Sequence, residues 1–125
     1  MNVLLVDDSP SVRSILKVYL MGLHTTFLEA EDGERALRVL RLSPVDLVIA
    51  DVQMVPMDGI TFVRTLRSSS RPKLRDVPVV MLTSDRSAEV RERGLAAGAS
   101  AFVHKPVDAK TLLQTIAQVM PGGAP

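Results

Sequence analysis

The chain has 125 residues, 46% hydrophobic and only 3% aromatic, with a formal net charge of +1. That is one domain's worth of chain with a core of Val, Leu, Ile, Ala and Met; without cysteine it has neither disulfides nor Cys-based zinc sites. The charge argues neither for nor against a polyanionic partner, and with no Trp and one Tyr there is no stacking platform for single-stranded nucleic acid. Met1-Asn2-Val3 lacks the basic flank of a secretory signal, and no apolar run is long enough to span a bilayer. A soluble, cytoplasmic domain is expected, with no membrane insertion and no direct nucleic-acid contact.

In chain order, Asn2–Val6 reads as the first strand. Ser9 and Pro10 start a helix whose stripe is Val12, Ile15, Leu16, Tyr19 and Leu20, with Gly22 placed to end it. Thr25–Ala30 is a second strand, and Asp32 caps a second helix carrying Ala36, Leu37 and Leu40. Val45–Ala50 is the third strand; Asp58 caps a helix with Phe62, Val63 and Leu66. Ser68–Asp76 is polar and basic, contains Pro72, and reads as a loop. Val77–Leu82 is the fourth strand. Residues 87–97 form a fourth helix, weakened by Gly94 by about 1 kcal/mol relative to Ala. Ser100–His104 is the fifth strand, and Asp108 caps a last helix with Leu112, Leu113, Ile116, Val119 and Met120. Residues 1–120 are thus one domain, and Pro121–Pro125 reads as a flexible tail or linker remnant. Five βα units imply a doubly wound α/β sandwich on a parallel sheet.

The strands end in chemistry. Val3–Val6 runs into Asp7-Asp8, Leu47–Ala50 into Asp51, Val79–Leu82 into Thr83-Ser84, and Ala101–His104 into Lys105-Pro106. Ligands of open parallel sheets bind at the carboxyl ends of the strands. Each residue alone is ordinary: an acidic turn, a strand-ending hydroxyl, a solvated lysine. Together, three clustered carboxylates must protonate or bind a cation. An oxygen-only set suits a hard ion, and Mg²⁺ better than Ca²⁺. Asp51, single and central, is the best nucleophile; its attack on phosphorus would give an aspartyl phosphate, aided by Mg²⁺ and Lys105.

In Leu5-Val6-Asp7-Asp8-Ser9, Asp51 followed by Met57-Asp58-Gly59, Thr83-Ser84, and Phe102-Val103-His104-Lys105-Pro106, the chain resembles the receiver domain of bacterial two-component response regulators, in the single-domain chemotaxis-regulator style. The resemblance covers about residues 2–120. It implies a flavodoxin-like (βα)5 sandwich with strand order 2-1-3-4-5. It implies that Asp51 accepts a phosphoryl group from a sensor histidine kinase or phosphotransfer protein. Asp8, Asp51 and the Gln53 backbone carbonyl would hold Mg²⁺, for which Mn²⁺ could substitute, with Asp7 acting partly through water. Thr83 and Lys105 would meet the phosphoryl oxygens, and Phe102 would change rotamer with Thr83. A downstream protein target would dock on the face of the fourth helix, fifth strand and fifth helix. The Lys105–Pro106 bond is expected to be cis. Pro56 stands one place later than in the family pattern, so the loop after Asp51 should differ in shape, and Val107 replaces a common aromatic.

The chain is therefore read as a switch that catalyses only its own phosphorylation and dephosphorylation. The alternatives are a receiver-like scaffold not controlled by phosphate, or a haloacid-dehalogenase-type phosphatase. The latter wants an acid where Ser9 stands. His24 and His104 are read as non-catalytic. The basic run Arg64, Arg67, Arg71, Lys73, Arg75 is read as a solvated helix end and loop, with a partner-binding patch as the minority view.

Overall fold

A computed structural model describes residues 1–121; the expected tail, Pro121 excepted, lies outside the described residues. Among the described residues five parallel strands, β1 (Asn2–Val6), β2 (Thr26–Ala30), β3 (Leu47–Asp51), β4 (Val79–Thr83) and β5 (Ala101–His104), form one sheet in the order β2-β1-β3-β4-β5. The crossovers carry α1 (Pro10–Leu20), α2 (Gly33–Leu42), α3 (Gly59–Arg67) and α4 (Ala88–Ala97), and α5 (Ala109–Val119) follows β5.

The unbroken apolar runs are explained by the two layers. Side chains alternate across a strand, so each run feeds two cores at once. Val3, Leu5, Leu47, Ile49, Val80, Leu82 and Val103 pack with Leu16 and Leu20 of α1 and Leu112 and Ile116 of α5. Leu4, Val6, Val48, Ala50, Val79 and Met81 pack on the other face with residues of α2, α3 and α4. Full burial of such a side chain is worth about 1.5–3 kcal/mol, so these central strands anchor everything at their ends.

Each expected cap is used. Ser9, Asp32, Asp58 and Asp108 accept from the backbone N–H groups of Val12, Arg35, Thr61 and Thr111, and Ser87, expected inside its helix, instead caps it by accepting from the Val90 N–H. Several boundaries differ from expectation. Strand β3 begins at Leu47, not Val45, because the Asn2 side chain donates to Pro44 and the Asp46 carboxylate accepts from the Asn2 N–H, tying those residues into a turn. Strand β4 begins after Pro78, which has no N–H for the ladder. The stretch expected as loop, 68–76, contains a helical turn, Pro72–Arg75, which Pro72 opens without losing a hydrogen bond. Gly22 does not end the first helix; α1 runs into a 3₁₀ turn, Met21–Leu23, and the left-handed residue that stops it is His24, at φ 50°.

Both β3 and β4 extend one residue further than the apolar runs, so Asp51 and Thr83 are the last residues of their strands. Sheet register therefore fixes their backbones.

Candidate functional site

The strand order reverses between β1 and β3, and the acids lie at that crevice. Asp7 and Asp8 follow β1, and Asp51 ends β3, whose Ala50 pairs with Val6 of β1. One carboxylate oxygen from each of Asp7, Asp8 and Asp51 lies within 4.8 Å of the others. Lys105, just past β5, reaches across β4 and bridges two of them, with Nζ 3.3 Å from Asp7 Oδ2 and 3.2 Å from Asp51 Oδ2. The Lys105 backbone N–H donates to the Thr83 carbonyl at 2.8 Å, which locks the lysine's origin to β4. The bonds Lys105–Pro106 and Val55–Pro56 are both cis; the first was expected and the second was not.

The three acids are not equivalent. Asp7 is 1% exposed, and both its oxygens are engaged: Oδ1 accepts from the Ser9 N–H at 2.9 Å and Oδ2 faces Lys105. Asp51 is 6% exposed yet lines an open groove of about 730 Å³; its Oδ1 accepts from the Gln53 N–H at 3.2 Å. Asp8 is exposed and lines the same groove with Gln53, Asp58 and Asp85. Three acidic oxygens this close form a hard-cation donor set, so the residues present fit Mg²⁺.

Gly59 lets the groove close up. A Cβ there would overlap the Asp51 carbonyl oxygen and stand 2.5 Å from Met81 Cε, while the Gly59 N–H donates to the Val52 carbonyl at 2.9 Å. Only a residue without a side chain brings the start of α3 this near the end of β3.

Thr83 is buried at the rim, but its hydroxyl is turned into its own loop, accepting from the Asp85 N–H at 3.0 Å. Phe102 packs in the core on the α4 side, with its ring against Gly94. His104 pairs with Thr83 in the sheet register, and its Nδ1 is buried without a hydrogen-bond partner. His24 caps its turn. Neither histidine joins the acid cluster.

Two residues of the site were not anticipated. Arg13 donates from Nη1 to the Asp7 carbonyl and from Nε to Glu29 at 2.9 Å, holding the Asp7 backbone from behind. Its signal was its place one turn into the helix after Asp7-Asp8. Arg93 of α4 is exposed and lines the groove; in sequence it is one charge among several on a solvated helix.

Burial raises the Asp51 carboxyl above its ordinary value; Lys105 pulls it down, and Asp7 pushes it further up. Burial also works against the Lys105 ammonium, but Asp51 and Asp7 outweigh it and hold that group above its ordinary value. For Asp51 the charged form is thus the disfavoured one in the fold. The folded state binds that proton more tightly than the unfolded chain, so stability falls as pH rises from the unfolded value near 3.8 through the higher folded one. Asp51→Asn should therefore raise the melting temperature at neutral pH in chelator. The gap should close as the pH is lowered toward the ordinary carboxylate value. A gap that widens on acidification contradicts this account.

Topology and site together define a doubly wound α/β domain with an acidic, lysine-bridged pocket at its topological switch point. Residues 3–117 match the family model of the response regulator receiver domain, and the chain belongs to that family. It is 40% identical over 105 residues to a gliding motility regulatory protein of Myxococcus xanthus, covering 84% of this chain and 13% of the relative. It is 32% identical over 117 residues to the heme response regulator HssR of Staphylococcus aureus, covering 94% of this chain and 50% of the relative. The chain thus spans half or less of these curated relatives. Among solved structures, the Vibrio cholerae chemotaxis response regulator CheY4 superposes with a TM-score of 0.86 at 35% identity, covering 95% of this chain and 98% of that one. The receiver domain of a Pseudomonas aeruginosa sensor histidine kinase, with a magnesium ion in its active-site cleft, gives 0.84 at 25% identity, covering 94% and 95%.

Proposed function

We propose that the chain is a phosphorylation-controlled signalling switch with Asp51 as phosphoacceptor. The observation that carries this reading is the Lys105 ammonium set between Asp7 and Asp51 beside an open groove. An Asp51 oxygen would attack phosphorus of a phosphohistidine presented by a sensor histidine kinase or phosphotransfer protein. The P–N bond breaks, and the departing imidazole takes a proton from solvent. Asp8, Asp51 and the Gln53 carbonyl would hold Mg²⁺ or Mn²⁺, with Asp7 assisting through water; the metal supplies charge neutralisation for the phosphoryl oxygens. Lys105 would orient and neutralise one phosphoryl oxygen. Thr83 would leave Asp85 to donate to another. A Mg²⁺-bound receiver relative supports this metal assignment. We place the domain at residues 1–120, in the cytoplasm; among the described residues no helix is long and apolar enough to cross a membrane.

The test is intact mass after incubation with acetyl phosphate. One phosphoryl group should appear with Mg²⁺ and none in chelator. Asp8→Ala should lose Mg²⁺ affinity by at least tenfold in a direct titration. An adduct that forms equally well without metal, or undiminished Mg²⁺ affinity in that variant, overturns the assignment.

The output would be a protein–protein contact on the face of α4, β5 and α5. Moving Thr83 toward Asp51 would empty space beside Phe102, whose ring already leans on α4. Amide exchange with beryllofluoride plus Mg²⁺ should then change across residues 83–108 as well as in the metal loops. A silent α4 would place the switch elsewhere.

A further inference from the structure

The cations of the run Arg64 to Arg75 do not share one fate, and this corrects the expectation that all are solvated. Arg67 is turned inward: Nε donates to the Gly98 carbonyl at 2.9 Å, and Nη1 to the carbonyls of Val77 and Arg75 at 2.6 and 2.8 Å. Arg75 lies against Asp76 at 3.0 Å. Arg71 and Lys73, at the helical turn Pro72–Arg75, are exposed. Arg41, at the end of α2, is exposed too. Among the described residues none of these three is paired with a carboxylate.

The three cations stand around a groove of about 800 Å³ between the chain entering β3 and the chain entering β4. Its lining is mainly apolar, with Val45, Leu74, Val77 and Pro78 among it. Leu42, also part of it, is 86% exposed, an unusual position for a leucine at the end of a helix whose other face is buried. The two acids of the lining already have partners. Asp46 accepts from the Asn2 N–H at 2.7 Å, and Asp76 holds Arg75. Free positive charge around an uncovered apolar lining is the complement of a negative segment with apolar anchors.

We propose that this groove docks an acidic peptide segment of a partner protein, with Leu-like side chains entering beside Leu42, Val45 and Leu74, and its carboxylates meeting Arg41, Arg71 and Lys73. A nucleic acid fits less well. Among the described residues no aromatic side chain lines the groove to stack a base. The groove lies at the amino ends of β3 and β4, whereas Asp51 is at the carboxyl end of β3. A five-residue strand separates them by roughly 15 Å. A partner held here leaves the acidic pocket open, so it stays tethered in both states of that pocket.

A random peptide library on phage, selected against the full chain, tests this. Selected peptides should be rich in Asp and Glu with spaced Leu, Ile or Phe, and their affinity should fall as salt is raised. Amide shift changes on titration should centre on residues 41–46 and 70–78. The double reversal Arg71→Glu/Lys73→Glu should weaken binding at least tenfold, and Leu42→Ser several-fold, while Mg²⁺-dependent phosphorylation of both variants stays at the wild-type level. Beryllofluoride should leave the affinity unchanged. Selection of no ligands, ligands without acidic character, shifts on another face, or a charge reversal without effect overturns the proposal. So does a single-stranded oligonucleotide that displaces the peptides.

Discussion

Asp51→Asn is expected to abolish the phosphoryl adduct that wild-type protein acquires from acetyl phosphate and Mg²⁺. Three carboxylates share the pocket, so the assignment rests on what each is free to do. Asp7 is sealed at 1% exposure with both oxygens occupied, and a nucleophile there would have to break its contacts with Ser9 and Lys105. Asp8 is open to the donor, but among the described residues no lysine or arginine is paired with it to meet the incoming phosphoryl group. Asp51 alone combines a groove-facing position with the Lys105 ammonium at 3.2 Å. The asparagine keeps the shape and can still accept from the Gln53 N–H, so a lost adduct reports lost nucleophilicity, not lost folding. Lys105→Ala should retain the nucleophile and slow the adduct's formation by about 10²–10³-fold, the usual effect of removing one group that stabilises developing charge. Label that persists on Asp51→Asn moves the site to Asp8 and defeats the reading.

How much of this was legible beforehand follows from the range of each interaction. The strands and their alternation are local: Val3/Leu5 and Leu4/Val6 are assigned to opposite cores by period alone. Caps are equally local, and Ser9, Asp32, Asp58 and Asp108 each act within three residues. That the three acids and Lys105 would meet was legible because parallel topology brings strand ends together whatever the intervening helices contain. What the linear chain concealed were contacts made at a distance. Arg67 looks like any arginine at a helix end until the carbonyls of Val77 and Gly98 arrive beside it. Arg93 becomes a groove residue only because α4 is laid beside the loop after β3. Gly22 offered the expected helix stop, yet the chain turned two residues later at His24. Gly94 is the instructive case. Read locally it is a flaw in a helix, whereas in the fold it is the floor under an aromatic ring.

That second role predicts a reversal of sign. A Cβ on Gly94 would overlap Phe102 Cζ and stand 2.7 Å from Cε2. In the ten-residue α4, replacing glycine by alanine should by itself stabilise by about 1 kcal/mol. Overpacking against a half-buried ring that is packed on the core costs about 1–3 kcal/mol. With Phe102 in place the steric term wins, and Gly94→Ala should lower stability in urea by about 1–2 kcal/mol. In a Phe102→Ala background the obstacle is gone and only the helical term remains, so the same substitution should raise stability by up to about 1 kcal/mol. The coupling in the double-mutant cycle would then be on the order of 2 kcal/mol. If Gly94→Ala stabilises both backgrounds equally, the ring yields without cost and does not lean on α4. If the sign reverses, α4 gives up intrinsic helix stability to keep a slot for Phe102. Such a helix would be the element on which the proposed movement of Thr83 acts, because segments that switch come from the low-stability end of a fold.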